Sequence, residues 1–266
     1  MERIILAAMF LLMSSNAYAQ LPPIVDEDFV KVMVPVGKTR QTGAFDTIWR
    51  LDSWVFNSSE QRITISHGRP VCPIMCAGGR PSVPPRRLDP LELIPNVGSI
   101  TPNGFFVYFP RAHEKDLTFH VRMVLETQDG DVPSVEVPIV HERDFRTAPI
   151  VLIEVPNSAE RRVMLRVYES TGGPRTVARI RVFASSGIEI LSERVVSLSR
   201  GTVGGDEFPM YSGVAQMPLS DLIDLSTAPE QLRIEVTGES PEDLPIWAFA
   251  SITENDTQHV TLITPQ

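Results

Sequence analysis

The sequence predicts an all-β protein built from two antiparallel β-sandwiches, and three observations carry that expectation. Apolar residues recur at every second position in segment after segment. Turn-forming residues interrupt these runs about every ten positions, and almost no stretch shows helical spacing. Successive side chains on a strand point to opposite faces, so such segments each offer one dry and one wet face, as antiparallel sheets stacked in pairs require. A composition 42% apolar and 21% charged fits a chain with a real core and excludes a disordered or fibrous one.

The alternation is plainest in Arg162 to Tyr168, where Val163, Leu165 and Val167 lie between Arg162, Met164, Arg166 and Tyr168. Ile180 and Val182 repeat it between Arg179 and Arg181, and Leu232, Ile234 and Val236 repeat it around Arg233 and Glu235. In chain order, strands are predicted near 29–36, 45–56, 61–66, 89–94, 104–109, 117–126 and 134–141. A second set is predicted near 150–155, 161–169, 177–184, 188–198, 208–218, 231–237, 246–253 and 258–264. Asp129-Gly130, Pro156-Asn157, Gly172-Gly173-Pro174, Ser186-Gly187 and Asn255-Asp256 punctuate them as turns. Only Ser220 to Leu225 reads as helical, with Ser220 as cap and Pro229 beyond its end.

The first nineteen residues read as a cleaved secretory signal. Arg3 gives a positive start, Ile4 to Met13 is an uncharged apolar run, and Ala17-Tyr18-Ala19 is a small-x-small cleavage pattern. That run is about half of the roughly 20 residues a membrane-spanning helix needs, and no other stretch is long enough to span. Glu142 to Pro149 lacks alternation and is too short for a loose tether, so two closely seated domains are expected: 20–143 and 144–266.

An internal echo supports a repeat. Trp49, Ser53, Asn57 and Ser59 precede Ile63-Thr64-Ile65, while Trp247, Ser251, Asn255 and Thr257 precede Val260-Thr261-Leu262. Each copy reads as a hairpin with Trp facing the core and an Asn-x-Ser/Thr turn before a return strand. Both turns match the N-glycosylation pattern, although their turn role suffices to account for them.

The ending from Trp247 to Gln266, together with Phe105-Phe-Val-Tyr-Phe-Pro110 and Asp144-Phe-Arg-Thr-Ala-Pro149, resembles a group of exported bacterial proteins of no assigned activity. The resemblance covers most of the chain after the signal. It implies a secreted or periplasmic pair of immunoglobulin-like β-sandwich domains and carries no catalytic motif.

Cys72 and Cys76, the only cysteines, sit in a segment crowded with prolines and glycines. In an oxidising compartment the pair reads first as a small disulfide pinning a loop. Cys72, Met75 and Cys76 also offer sulfur ligands suited to Cu(I), and a Cys-x3-Cys pair can serve redox exchange, though no helix start follows to stabilise a thiolate.

Other chemistry finds little support. His113-Glu114 and His141-Glu142 lack the second histidine of a zinc-protease helix, and no Gly-x-Ser-x-Gly elbow is present. Gly201 to Gly205 has no following lysine and reads as a turn rather than a phosphate loop. Carboxylate pairs fall in turn-like stretches, with Asp129 and Asp131 offering oxygen ligands that suit calcium. A net charge of −9 excludes a general nucleic-acid binder.

If 161–169 and 177–184 pair as neighbours, Arg162, Arg166, Arg179 and Arg181 form a stripe able to hold an anionic polymer or a carboxylate-bearing partner. The competing reading is a solvated face with partners such as Glu169, Glu189 and Glu193. The sequence therefore predicts an exported, non-enzymatic interaction or structural protein of adhesion type, needing no cofactor, with a protein or glycan partner. Binding through the loop of residues 67–88 is expected, since loops at sheet ends vary without disturbing a core. Carbohydrate recognition through Trp54, Phe56, Tyr108 or Phe109 is the alternative; alternation sets Trp54 and Phe56 on one face and Val55 on the other.

Overall fold

The computed structural model describes residues 28–35, 40–43, 46–66, 82–91, 104–127, 130–170, 176–199, 212–240 and 244–266. The predicted signal, Cys72, Met75, Cys76, Asp129 and Gly201 to Gly205 lie outside the described residues, as does most of the 67–88 loop.

The described residues form strands and turns with no α-helix. The first half contains β1 (Phe29–Val34), β2 (Arg40–Thr42), β3 (Ile48–Asn57), β4 (Ile63–Thr64), β5 (Ser82–Val83), β6 (Arg87–Pro90), β7 (Phe105–Pro110), β8 (Leu117–Thr127), β9 (Gly130–Glu136) and β10 (Val140–His141). The second contains β11 (Ile150–Pro156), β12 (Arg161–Glu169), β13 (Thr176–Ala184), β14 (Ile190–Leu198), β15 (Val214–Pro218), β16 (Gln231–Ser240), β17 (Ile246–Glu254) and β18 (Val260–Ile263). All their pairings are antiparallel.

Four sheets organise the molecule: β2-β3-β8-β9 with β6 also on β3, β10-β1-β7, β15-β12-β17-β18, and β11-β16-β13-β14; β4 and β5 form a separate pair. They stack in that order, and period-two spacing explains the stacking. On β1, Val30, Val32 and Val34 enter a core shared with Leu51, Val55 and Val121 of the first sheet, while Met33 enters an aromatic layer on the opposite face. On β7, Phe105, Val107 and Phe109 enter the first of these and Phe106 and Tyr108 the second. β12 and β17 repeat the division: Leu165, Val167, Ala248 and Ala250 face a core shared with Ile180 and Ile234, while Tyr168, Trp247 and Phe249 face the aromatic layer. The two inner sheets are thus covered on both faces, which is why Phe105 to Phe109 reads as continuous apolar sequence rather than as alternation.

The link around 142–149 is built into this layer. Phe145 is buried there against Phe106, with ring centroids 6.5 Å apart, and Arg146 exchanges backbone hydrogen bonds with Ile246 at 2.8 and 3.0 Å. Lys31 reaches across the halves, donating to the Ser170 carbonyl at 3.2 Å while pairing with Glu142 at 2.8 Å.

Three local expectations are corrected. The helix at 220–225 is a single 3-10 turn, Leu219–Asp221. Asp224 ends it, because its carboxylate accepts from the Ser226 amide at 3.0 Å and hydroxyl at 2.7 Å and so builds a turn of its own. The predicted strand at 134–141 divides into β9 and β10, which belong to different sheets. The echo is a hairpin in its second copy alone, where β17 pairs with β18. In the first copy β4 pairs with β5, and Ser66 then exchanges two 2.8 Å bonds with Tyr108, carrying the chain across to the neighbouring sheet.

Candidate binding cleft

The four arginines predicted to form one stripe divide into two pairs, because β12 and β13 lie in different sheets. Consecutive strands with the same apolar period can sit side by side or face one another across a core, and these face one another.

Arg179 and Arg181 stand on the outer face of the last sheet. Arg179 binds both Glu193 and Glu239, its Nη2 lying 2.9 Å from Glu239 Oε2, and Arg181 Nε donates to Glu193 at 2.7 Å. The hydrogen bond from Arg181 holds Glu193 below the usual carboxylate range, and that from Arg179 does the same for Glu239. Glu193 is thus one of the predicted cross-strand partners, whereas Glu169 is buried in the other sheet and accepts from the Gly213 amide at 2.8 Å. These two guanidiniums already have their anions.

Arg162 and Arg166 are placed differently. Alternation on β12 turns both away from the core and into a cleft of about 510 Å³ between the halves. Trp49, Met123 and Val137 of the first half form one apolar wall, and Phe249 and Leu262 of the second form another. The ladder sets Arg166 between Gln216 on β15 and Phe249 on β17. Its guanidinium lies 5.5 Å from the Phe249 ring centroid, and it donates to Ser251 Oγ at 2.9 Å and Gln216 Oε1 at 3.4 Å. Arg162 donates to Gln258 Oε1 at 2.8 Å. Among the described residues, Arg166 has no carboxylate partner, so its charge faces the cleft balanced only by neutral acceptors and an aromatic ring.

Such a site can hold an anion against an apolar wall, with the planar guanidinium giving two parallel donors to a carboxylate. The sequence supplied Arg162 and Arg166. It did not supply Trp49, Gln216 or Ser251, whose nearness depends on which strands are neighbours and how the halves meet.

The remaining candidates are distributed. Tyr108 and Phe109 are core residues, each 1% exposed, whereas Trp54 is 41% exposed on the outer face of β3, with Phe56 beside it and Val55 turned inward. His113 lies 2.8 Å from Asp116 and His120 lies 3.3 Å from Glu136. Among the described residues no group of His, Cys, Asp and Glu is arranged to hold a metal, and no helix is long and apolar enough to cross a membrane. No family model, curated protein or solved structure matches this chain.

Proposed function

We propose that this chain is an exported, non-catalytic interaction protein that holds a carboxylate-bearing part of its partner in the cleft of Arg162 and Arg166. The observation that carries the reading is Arg166, a cation in an apolar-walled cleft whose hydrogen bonds among the described residues go to the neutral Ser251 and Gln216. In a chain of net charge −9, where Arg179 and Arg181 are ion-paired, a cation left facing a cleft is a binding feature. Export rests on the signal-like start, and the adhesion-type role on the absence of any catalytic motif in the sequence.

The same proposal takes the stacked sheets as two immunoglobulin-like β-sandwiches, residues 20–143 and 144–266. One core cluster lying wholly within 30–137 and another wholly within 150–252 support that division. An adhesion module of this kind works in the periplasm or outside the cell.

Capture from the native envelope with the parent protein, Arg166→Ser and an Arg179→Ser/Arg181→Ser pair tests the reading. Parent and double variant should recover the same partner, and Arg166→Ser should lose it. Equal recovery by all three would refute the cleft as the binding site.

A further inference from the structure

The outer face of the first sheet carries an independent feature. β3 crosses that face with β6 on one side and β8 on the other, and the register sets Trp54 between Pro90 and His120, and Phe56 between Leu88 and Thr118. Trp54 is 41% exposed and Leu88 50% exposed, although the other two tryptophans, Trp49 and Trp247, are buried at 7% and 5%. A large ring left in water on a rigid sheet has no part in either core, and alternation requires this one to point outward because Val55 points in.

Around this apolar strip the sheet places polar groups. Arg122 lies opposite Asp52 on one side and Glu136 on the other, and His120 bonds Glu136 at 3.3 Å. Asp52 is instead held by Arg50, at 2.8 and 3.1 Å. Among the described residues, Arg122 therefore has no carboxylate partner despite its two acidic neighbours. The apolar strip and the side chains of Asp52, His120, Arg122 and Glu136 line a shallow depression of about 490 Å³.

We infer that this face is a carbohydrate-binding platform, separate from the cleft, on which a sugar ring of a neutral polysaccharide stacks against Trp54. A pyranose ring has an apolar C–H face and a rim of hydroxyls that both donate and accept. The platform has the matching arrangement, with a flat indole and Leu88 at the centre, carboxylate acceptors in Asp52 and Glu136, and guanidinium donors in Arg122. The depression falls within the range of small-ligand sites, roughly 300–1,000 Å³. The apolar strip, two ladder rows long, is narrow for a protein interface, which needs about 800 Å² per partner. Phe56, two residues along the strand from Trp54 and roughly 7 Å away, extends the strip in the direction a polysaccharide chain would run.

Native gel electrophoresis with hydroxyethylcellulose, xylan, galactomannan or laminarin cast into the gel tests the inference. The parent should be retarded by at least one of the four, and Trp54→Ala should weaken that binding about tenfold or more. Leu88→Ser, a second exposed position, should weaken it as well, while both variants keep the parent's unfolding midpoint. Arg166→Ser should be retarded like the parent, which separates this platform from the cleft. Migration of the parent unchanged by all four polysaccharides would overturn the inference, as would equal retardation of parent and Trp54→Ala. Loss of an envelope protein from Trp54→Ala without any polysaccharide effect would overturn it in favour of a protein partner.

Discussion

The rings of Tyr168 and Phe249 lie parallel, with centroids 6.1 Å apart and 3° between their planes, at the centre of the layer that joins the two halves. Tyr168 is the ladder neighbour of Trp247, and its hydroxyl donates to the carbonyl of Pro35 in the other half. Burial raises its phenol well above the usual range, so the group stays protonated and remains a donor. Tyr168→Phe keeps the ring and removes only the donor, leaving the Pro35 carbonyl buried and unpaired. The expected cost is about 1–3 kcal/mol, read from urea unfolding. Gly104→Ala attacks the same ring by size, since an added Cβ would lie 2.9 Å from Tyr168 Cε1, and should cost a similar ~1–3 kcal/mol.

Asn57 and Asn255 occupy equivalent positions in the sequence echo, yet the structure predicts unequal costs for losing them. Asn57 is fully buried. Its amide nitrogen donates to the carbonyls of Gln61, Val83 and Pro84 at 2.7, 3.0 and 3.1 Å, and its oxygen accepts from the Ser59 amide and hydroxyl at 3.0 and 2.8 Å. Asn57→Ala strands these groups and should cost about 3 kcal/mol, whereas Asn255→Ala, with one 2.9 Å side-chain bond to the Ala159 carbonyl, should cost about 1 kcal/mol. Equal losses in thermal or urea unfolding would contradict this asymmetry.

Period two in the sequence was enough to assign faces within a strand. It turned Val163, Leu165 and Val167 inward, and it set Trp54 and Phe56 opposite Val55. It could not assign sheets. β12 and β13 follow one another in the chain but take their partners from β15, β17, β14 and β16, so Arg166 and Arg181, which look equivalent in sequence, end on different surfaces. Nor could it show that a second sheet covers the face of Tyr168 that Arg166 shares. That is a contact between halves, and alternation is the same whether the second face meets water or another layer. The turn at Asp224 was hidden for a different reason: a side chain capping its own backbone competes with a helix without altering the apolar spacing.

His141 should give the fold a pH dependence near neutrality. Burial is the main cause that lowers its pKa below the usual 6.5; Arg143 adds to this, while Asp144 and Glu114 oppose it. Protonation is therefore easier in the unfolded chain than in the folded one. The stability from keeping this ring neutral is complete above 6.5 and is lost as pH falls from there through the folded value. Urea midpoints measured between about pH 5 and pH 8 should rise more steeply for the parent than for His141→Asn. Parallel curves would show that the ring does not titrate differently on folding.

A second decline, at more acid pH, belongs to the cluster on β13 and its neighbours. Glu193 and Glu239 are held below their usual 4.5 in the fold by Arg181 and Arg179, so the stability they give is present above 4.5 and disappears as pH falls through the folded values. Arg179→Ser removes the partner of Glu239 and one of the two partners of Glu193, returning the first towards 4.5 and the second part of the way. The acid decline of the variant should then be shallower than that of the parent. Because these groups are partly exposed, the difference between the two proteins should shrink in about 0.5 M salt, where the Debye length is only a few ångströms. A parent and variant whose acid limbs superimpose at low salt would show that the pairs contribute nothing to the fold.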